Sequence, residues 1–223
     1  MRTKSVAPCN AISASSQLLQ KTSGLVSVIM SAYDAQDFIA DAIRSIQAQT
    51  YRTWELIVVD DHSADNTLQV VERFSRDDPR IKVVYNEQNL GPYRSANIGL
   101  KYAEGEYIAR LDADDTSEPS RLEKQVRFLS TRPDTVLVGS GGYQVDSSGN
   151  RVRKINVISR EHLIQKLMTR VNLFIHSSIL VRREALEEVG GYREKFRYVA
   201  DYDLYLRLSD RYTLSNLPEY LVN

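Results

Sequence analysis

Leu25-Val26-Ser27-Val28-Ile29-Met30, Trp54-Glu55-Leu56-Ile57-Val58-Val59 and Ile81-Lys82-Val83-Val84-Tyr85 are three short runs rich in Val and Ile, and what separates them decides the fold. Between the first and second, Ile39, Ala42, Ile43 and Ile46 recur at helical spacing. Between the second and third, Val70, Val71 and Phe74 do the same. A third helix is expected from about Tyr93 to Ala103, leading into a fourth strand at Tyr107–Leu111, and Leu122, Val126 and Leu129 mark a helix after it. Strands that alternate with helices in this way form a mostly parallel sheet covered on both faces, the α/β class.

Beyond Val136–Val138 the rhythm changes. Gly139, Gly141 and Gly142 precede Tyr143–Val145 and a turn-like stretch from Asp146 to Asn150. Further on, a helix is expected near Glu161–Met168, a strand near Ser178–Val181 and a helix over Ala200–Ser209. The chain shows no repeat, linker or second hydrophobic core, so residues 25–223 are expected to form a single domain. Its regular first half would span about 25–115 and its less regular second half about 116–223.

At 223 residues such a domain buries about 70–75% of its unfolded surface and needs no disulfide. Lys plus Arg number 29, as do Asp plus Glu, so no global field draws the chain to nucleic acid or anionic lipid. The stretch 1–24 reads as a disordered leader, because polar residues interrupt it before a signal-peptide core can form. The single cysteine, Cys9, fits a reducing compartment. No run of about 18 apolar residues occurs, which predicts no transmembrane helix and leaves peripheral contact at the inner membrane face open. A cytoplasmic protein is expected.

Open parallel sheets bind ligands at the carboxyl ends of their strands, and acids gather there. The second strand runs into Asp60-Asp61-His62-Ser63, and the fourth into Asp112-Ala113-Asp114-Asp115. Two acidic clusters on neighbouring strand ends repel unless a cation or hydrogen-bond donors sit between them. A hard divalent metal shared between carboxylate and substrate phosphate is the economical answer.

Four segments in order carry a resemblance to glycosyltransferase family 2, the inverting enzymes of GT-A fold. They are Ser27–Asp34, Val59–Ser63, Asn89-Leu90-Gly91 through Asn97-Ile98-Gly99 to Leu111–Asp115, and Gly190-Gly191-Tyr192 leading to Ala200–Leu204. The resemblance implies a nucleotide-sugar donor whose base lies against Ser31 and Tyr33 and hydrogen-bonds to Asp61, which favours uracil. It implies that Asp112 faces the ribose, with Ala113 in the same donor-binding stretch. Asp114 would hold Mn²⁺ or Mg²⁺ on the diphosphate, and Asp201 would take the proton of the attacking acceptor hydroxyl. The acceptor implied is a glycan or lipid-linked sugar. Processive synthases carry Q-x-x-R-W and membrane helices, neither present here, so single addition is expected. Ser31, Asp34 and Ala200 depart from the family's usual Pro, Asn and Glu, and the chain ends at Asn223 where relatives usually continue.

Simpler readings compete at several positions. Asp60 reads as a turn residue, and Asp203 as a helix-start acid paired with Arg207. His176 and Arg94 are candidate phosphate contacts with equally ordinary structural roles. Asp112-Ala113-Asp114-Asp115-Thr116 also fits the D-x-D-x-T nucleophile motif of haloacid dehalogenase phosphatases, but that motif belongs on a first strand and here three strand-helix units precede it. No G-x-G-x-x-G follows the first strand, which excludes a dinucleotide oxidoreductase. Sugar-phosphate nucleotidyltransferases also want a Gly-rich loop there, and Ser31-Ala32-Tyr33-Asp34 is not one. A catalytically silent nucleotide-sugar-binding subunit is the rival from another class; it would tolerate loss of Asp201.

Overall fold

The computed structural model describes residues 22–223 except 147 and 197. The leader's residues 1–21, Cys9 among them, lie outside the described residues. The chain runs β1 (Thr22–Ala32), α1 (Ile39–Gln47), β2 (Trp54–Asp60), α2 (Thr67–Asp77), β3 (Ile81–Tyr85), α3 (Pro92–Tyr102) and β4 (Gly105–Arg110). It continues through α4 (Arg121–Ser130), β5 (Thr135–Val145), β6 (Arg151–Ile155), α5 (Glu161–Leu167), a 3₁₀ turn at His176–Ser178, β7 (Leu180–Arg182), α6 (Arg183–Glu188), α7 (Ala200–Ser209) and β8 (Thr213–Val222).

One eight-stranded sheet holds these strands in the order β3-β2-β1-β4-β7-β5-β6, and β8 also pairs with β5. The first four are mutually parallel, β8 runs parallel to β5, and β7 and β6 are antiparallel to their neighbours. Period-two alternation explains why the strand sequences are apolar throughout. Val26, Val28, Met30, Leu56 and Val58 face α1, α2 and α4, whereas Ile29, Ile57 and Val59 face the layer containing α3, α6 and α7. In α1 the residues singled out by spacing, Ile39, Ala42, Ile43 and Ile46, are the buried ones. Each fully buried Ile of this kind contributes about 1.5–3 kcal/mol. No helix among the described residues is long and apolar enough to cross a membrane.

Three features differ from the sequence expectation. Thr22–Gly24 belong to β1 rather than to the leader. The Thr22 N–H donates to the Glu104 carbonyl at 3.2 Å, and the Gly24 N–H donates to the Glu106 carboxylate at 2.8 Å. One backbone and one side-chain acceptor hold this polar segment, which carries no apolar signature. Second, β5 passes unbroken through Gly139, Gly141 and Gly142. A Cβ on Gly139 would lie 2.3 Å from Asn216 Oδ1, so glycine admits the neighbouring strand here rather than ending its own. Third, the C-terminal stretch forms β8 despite Pro218. Pairing jumps from Ser140↔Leu217 to Gly141↔Tyr220, so Pro218 and Glu219 sit in a bulge where no ladder N–H is required.

Candidate functional site

Strand order sets the site. β1 lies between β2 and β4, with Ala32 level with Asp60 and Ile29 level with Arg110, so the acidic segments after β2 and β4 flank the residues that leave β1. The Asp61 N–H donates to the Ala32 carbonyl (2.7 Å) and the Leu111 N–H to the Ile29 carbonyl (3.4 Å), extending this alignment one step beyond the strands. Two adjoining clefts open here. One, of about 650 Å³, is lined by Asp61, Leu90, Gly91, Phe196 and Tyr198. The other, of about 370 Å³, is lined by Phe38, Arg110, Asp112, Ala113, Asp114 and His176. Ser31, Tyr33, Pro92 and Tyr93 line both, so the clefts share one wall.

Asp61 is buried at the floor of the larger cleft. Its Oδ1 accepts from Asn86 Nδ2 and the Leu90 N–H, both 2.8 Å, and its Oδ2 accepts from the Gly91 N–H at 2.7 Å. A carboxylate offers about four lone-pair sites, which leaves one acceptor position on Oδ2 for a ligand. Gly91 has φ +87°, a conformation that favours glycine, and it brings the chain over Asp61 into α3. Ser31 donates its hydroxyl to the Pro92 carbonyl (3.0 Å), fastening the end of β1 to the start of α3. Tyr33 exposes 53% of its surface at the mouth, a ring free to stack on a planar ligand.

The loops after β1 and β2 form the rim. Asp34 Oδ1 accepts the Ala64 N–H (2.7 Å), and Ser63 Oγ accepts the Asp34 N–H (3.1 Å). An Asn oxygen could make the first of these bonds equally well, so this contact survives the departure from the usual Asn. Asp60 is buried and accepts the Ser63 N–H (3.2 Å), the turn role expected of it.

In the smaller cleft, Arg110 is only 2% exposed, and its Nη2 donates to Asp112 Oδ1 at 3.2 Å. Burial opposes charge on Asp112, but neighbouring His176 and Arg110 outweigh it and hold the carboxyl below its ordinary range. Asp115 goes the other way: burial first, then the charges of Asp112 and Asp114, push it up to about 6. Asp114 is exposed and makes no hydrogen bond or ion pair among the described residues. No group of three or more His, Cys, Asp or Glu among the described residues could hold a metal by itself. This donor set fits a hard cation held by one or two carboxylates plus substrate phosphate and water, and does not fit a closed structural site.

Asp201, in the first turn of α7, is half-buried and lines neither cleft. Its Oδ1 accepts the Tyr93 hydroxyl and its Oδ2 accepts Asn172 Nδ2, both at 3.0 Å. The Tyr93 ring packs on Tyr192 (5.4 Å between centroids) and meets His176 nearly edge-on (6.0 Å). His176 shares a proton with the Tyr205 hydroxyl across 2.7 Å at Nδ1, and its Nε2 accepts Arg110 Nε at 3.2 Å. Burial, then the Arg110 charge, push its pKa down to about 4. Because the folded value lies below 6.5, the unfolded chain takes up this proton first as pH falls. Stability should therefore drop between pH 6.5 and about 4, and less so in His176→Asn; thermal melts of both across that window check it. Arg94 pairs with Glu194 at 3.0 Å across the rim, and Asp203 with Arg207 at 2.8 Å.

Three residues at this junction, Tyr93, Arg110 and Asn172, are not among those the sequence motifs single out. Tyr93 lies two residues after the Asn89-Leu90-Gly91 motif and Arg110 directly precedes Leu111–Asp115, so nearness to a motif is an available signal. Asn172 offered none.

The sequence profile described as Glycosyl transferase family 2 matches residues 27–190. The chain is 39% identical over 185 residues to the putative glycosyltransferase EpsE of Bacillus subtilis, covering 82% of this chain and 66% of that protein. It is 40% identical over 130 residues to the Escherichia coli protein named UDP-Glc:alpha-D-GlcNAc-diphosphoundecaprenol beta-1,3-glucosyltransferase WfgD, covering 58% of this chain and 50% of that one. The chain thus spans about two thirds or less of the length of these relatives. Among solved structures, S. aureus TarS 1-349 in complex with UDP superposes with a TM-score of 0.72 at 23% identity, covering 88% of this chain and 59% of that one. Mannosyltransferase PcManGT from Pyrobaculum calidifontis, in complex with GDP-Man and Mn²⁺, gives 0.68 at 23% identity over 87% and 55%. These likenesses carry the GT-A fold, and with the profile spanning most of the chain from β1 to the turn after α6, the protein belongs to glycosyl transferase family 2.

Proposed function

We propose that the protein transfers a sugar from a UDP-sugar to a hydroxyl of a glycan or lipid-linked acceptor, one residue per encounter, with inversion at the anomeric carbon. The observation that carries this reading is the shared wall: a base-sized cleft over Asp61 and an acidic cleft at Asp112–Asp114 meet along Ser31, Tyr33, Pro92 and Tyr93. A nucleoside diphosphate laid along that wall would put its base beside Tyr33 and the free position on Asp61 Oδ2. Its ribose would lie near Asp112 and Ala113, and its phosphates would reach Asp114.

A divalent cation such as Mn²⁺ or Mg²⁺, when bound, supplies charge neutralisation on the diphosphate. Asp114 would hold it, with Asp112 already committed to Arg110. Asp201 would accept the acceptor's hydroxyl proton. Both ring nitrogens of His176 are taken up by Tyr205 and Arg110, which leaves the Asp201 carboxylate as the base. The β3-β2-β1-β4 portion would bind the donor and the remainder the acceptor. The undecaprenol-linked acceptor in the name of WfgD supports a lipid-linked substrate and peripheral membrane contact.

A thermal-shift screen of nucleotide sugars with Mn²⁺ tests the donor. A ligand at 100 times its Kd adds about 2.7 kcal/mol to the folded state. For a chain of this size that is roughly 5–10 °C. UDP-sugars should give this shift and GDP-sugars a smaller one. No shift with any uridine nucleotide would refute the donor assignment.

A further inference from the structure

Tyr93 is the residue through which the two clefts and the carboxylate of Asp201 communicate. It stands in the first turn of α3, lines both clefts, and donates its hydroxyl to Asp201 Oδ1 at 3.0 Å, while Asp201 itself reaches neither cleft. With Asn172 on Oδ2, each oxygen of the carboxylate already accepts one hydrogen bond. A hydroxyl entering from either cleft meets Tyr93 first and finds the near position on Asp201 taken by another hydroxyl. The ring is seated between Tyr192 and His176, so its rotation is hindered by packing as well as by the hydrogen bond.

We propose that Tyr93 is a gate on Asp201: it fills the place of the acceptor hydroxyl in the resting protein and yields it when an acceptor binds, which keeps water from consuming the donor. This rests on the reading of Asp201 as the base. The reaction that the gate suppresses is hydrolysis of the donor. Asp201 takes a proton from water, the water oxygen's electron pair forms a bond to the anomeric carbon, and the bond from that carbon to phosphate oxygen breaks with its pair leaving on UDP. The products are free sugar, UDP and a proton later released from Asp201. Transfer is the same step with the acceptor hydroxyl in place of water. Tyr93 touches the base rather than the reacting atoms, so it is a positioning residue.

Tyr93→Phe keeps the ring and its packing and removes the bond to Asp201. The test is the rate of UDP release from UDP-glucose and from UDP-N-acetylglucosamine, each with Mn²⁺ and no acceptor. Hydrolysis of at least one should rise about tenfold in the variant, the change equivalent to a hydrogen bond to a charged group of ~1.5 kcal/mol that no longer has to be broken first. A residue that merely supported the fold would lower the rate instead. In the double variant Tyr93→Phe/Asp201→Asn the rise should vanish. A rise that persists there would show that the effect does not run through Asp201 and would overturn the gate. A rate in Tyr93→Phe equal to or below the wild type would overturn the gate.

Discussion

Transfer by an Asp201→Asn variant should fall by ~10²–10⁴-fold, the range over which a positioned base contributes, while UDP binds as tightly as it does to the wild type. The two halves of this expectation come from the same geometry. Asp201 lines neither cleft, so its substitution leaves the surfaces offered to base, ribose and phosphates intact. Asparagine is nearly isosteric and its oxygen still accepts the Tyr93 hydroxyl, so the wall between the clefts stays in place. The amide lacks the lone-pair basicity needed to take a proton, and His176, held neutral with a pKa pushed down to about 4, is committed to Tyr205 and Arg110. Steady-state kinetics beside calorimetry of UDP binding reads both halves. Full activity in the variant would mean that the base lies elsewhere.

Asp114→Ala should abolish Mn²⁺-dependent UDP binding and leave the fold unchanged. Asp114 is exposed and bonds to nothing else among the described residues, so its removal should change stability by no more than ~0.5 kcal/mol. Asp112 is a poor substitute ligand because Arg110 already occupies one of its oxygens. The variant should therefore bind UDP with an affinity that Mn²⁺ no longer changes, where the wild type binds more tightly in its presence. Calorimetry with and without the metal makes the comparison. An undiminished response to Mn²⁺ would take Asp114 out of the site.

The first half of the fold was legible because its signals are local. Ile81–Tyr85 is a strand within the bounds that its Val and Ile run suggested, and the spacing of Ile39, Ala42, Ile43 and Ile46 named the face of α1 that the sheet covers. The second half was less so, because its strands owe their existence to partners far along the chain. β6 is exposed along its whole length and has no apolar signature; it pairs because β5 extends through three glycines to meet it. α6 is six residues long and begins where β7 ends, too short for a periodic pattern. Sequence motifs found the acids at the strand ends. They gave no hint that Asp61 spends three of its acceptor positions on Asn86, Leu90 and Gly91, or that Asp201 is held by Tyr93 and Asn172. Those contacts join segments up to 108 residues apart, and only the folded chain brings them together.

A crystal of the protein grown with UDP and Mn²⁺ tests the central claim most directly, because one map locates the base and one anomalous peak locates the metal. The uracil should lie against Tyr33 within hydrogen-bonding reach of Asp61, and the manganese peak should sit on the Asp114 carboxylate and the diphosphate. A nucleotide bound away from the wall shared by the two clefts, or a metal that leaves Asp114 untouched, would contradict it.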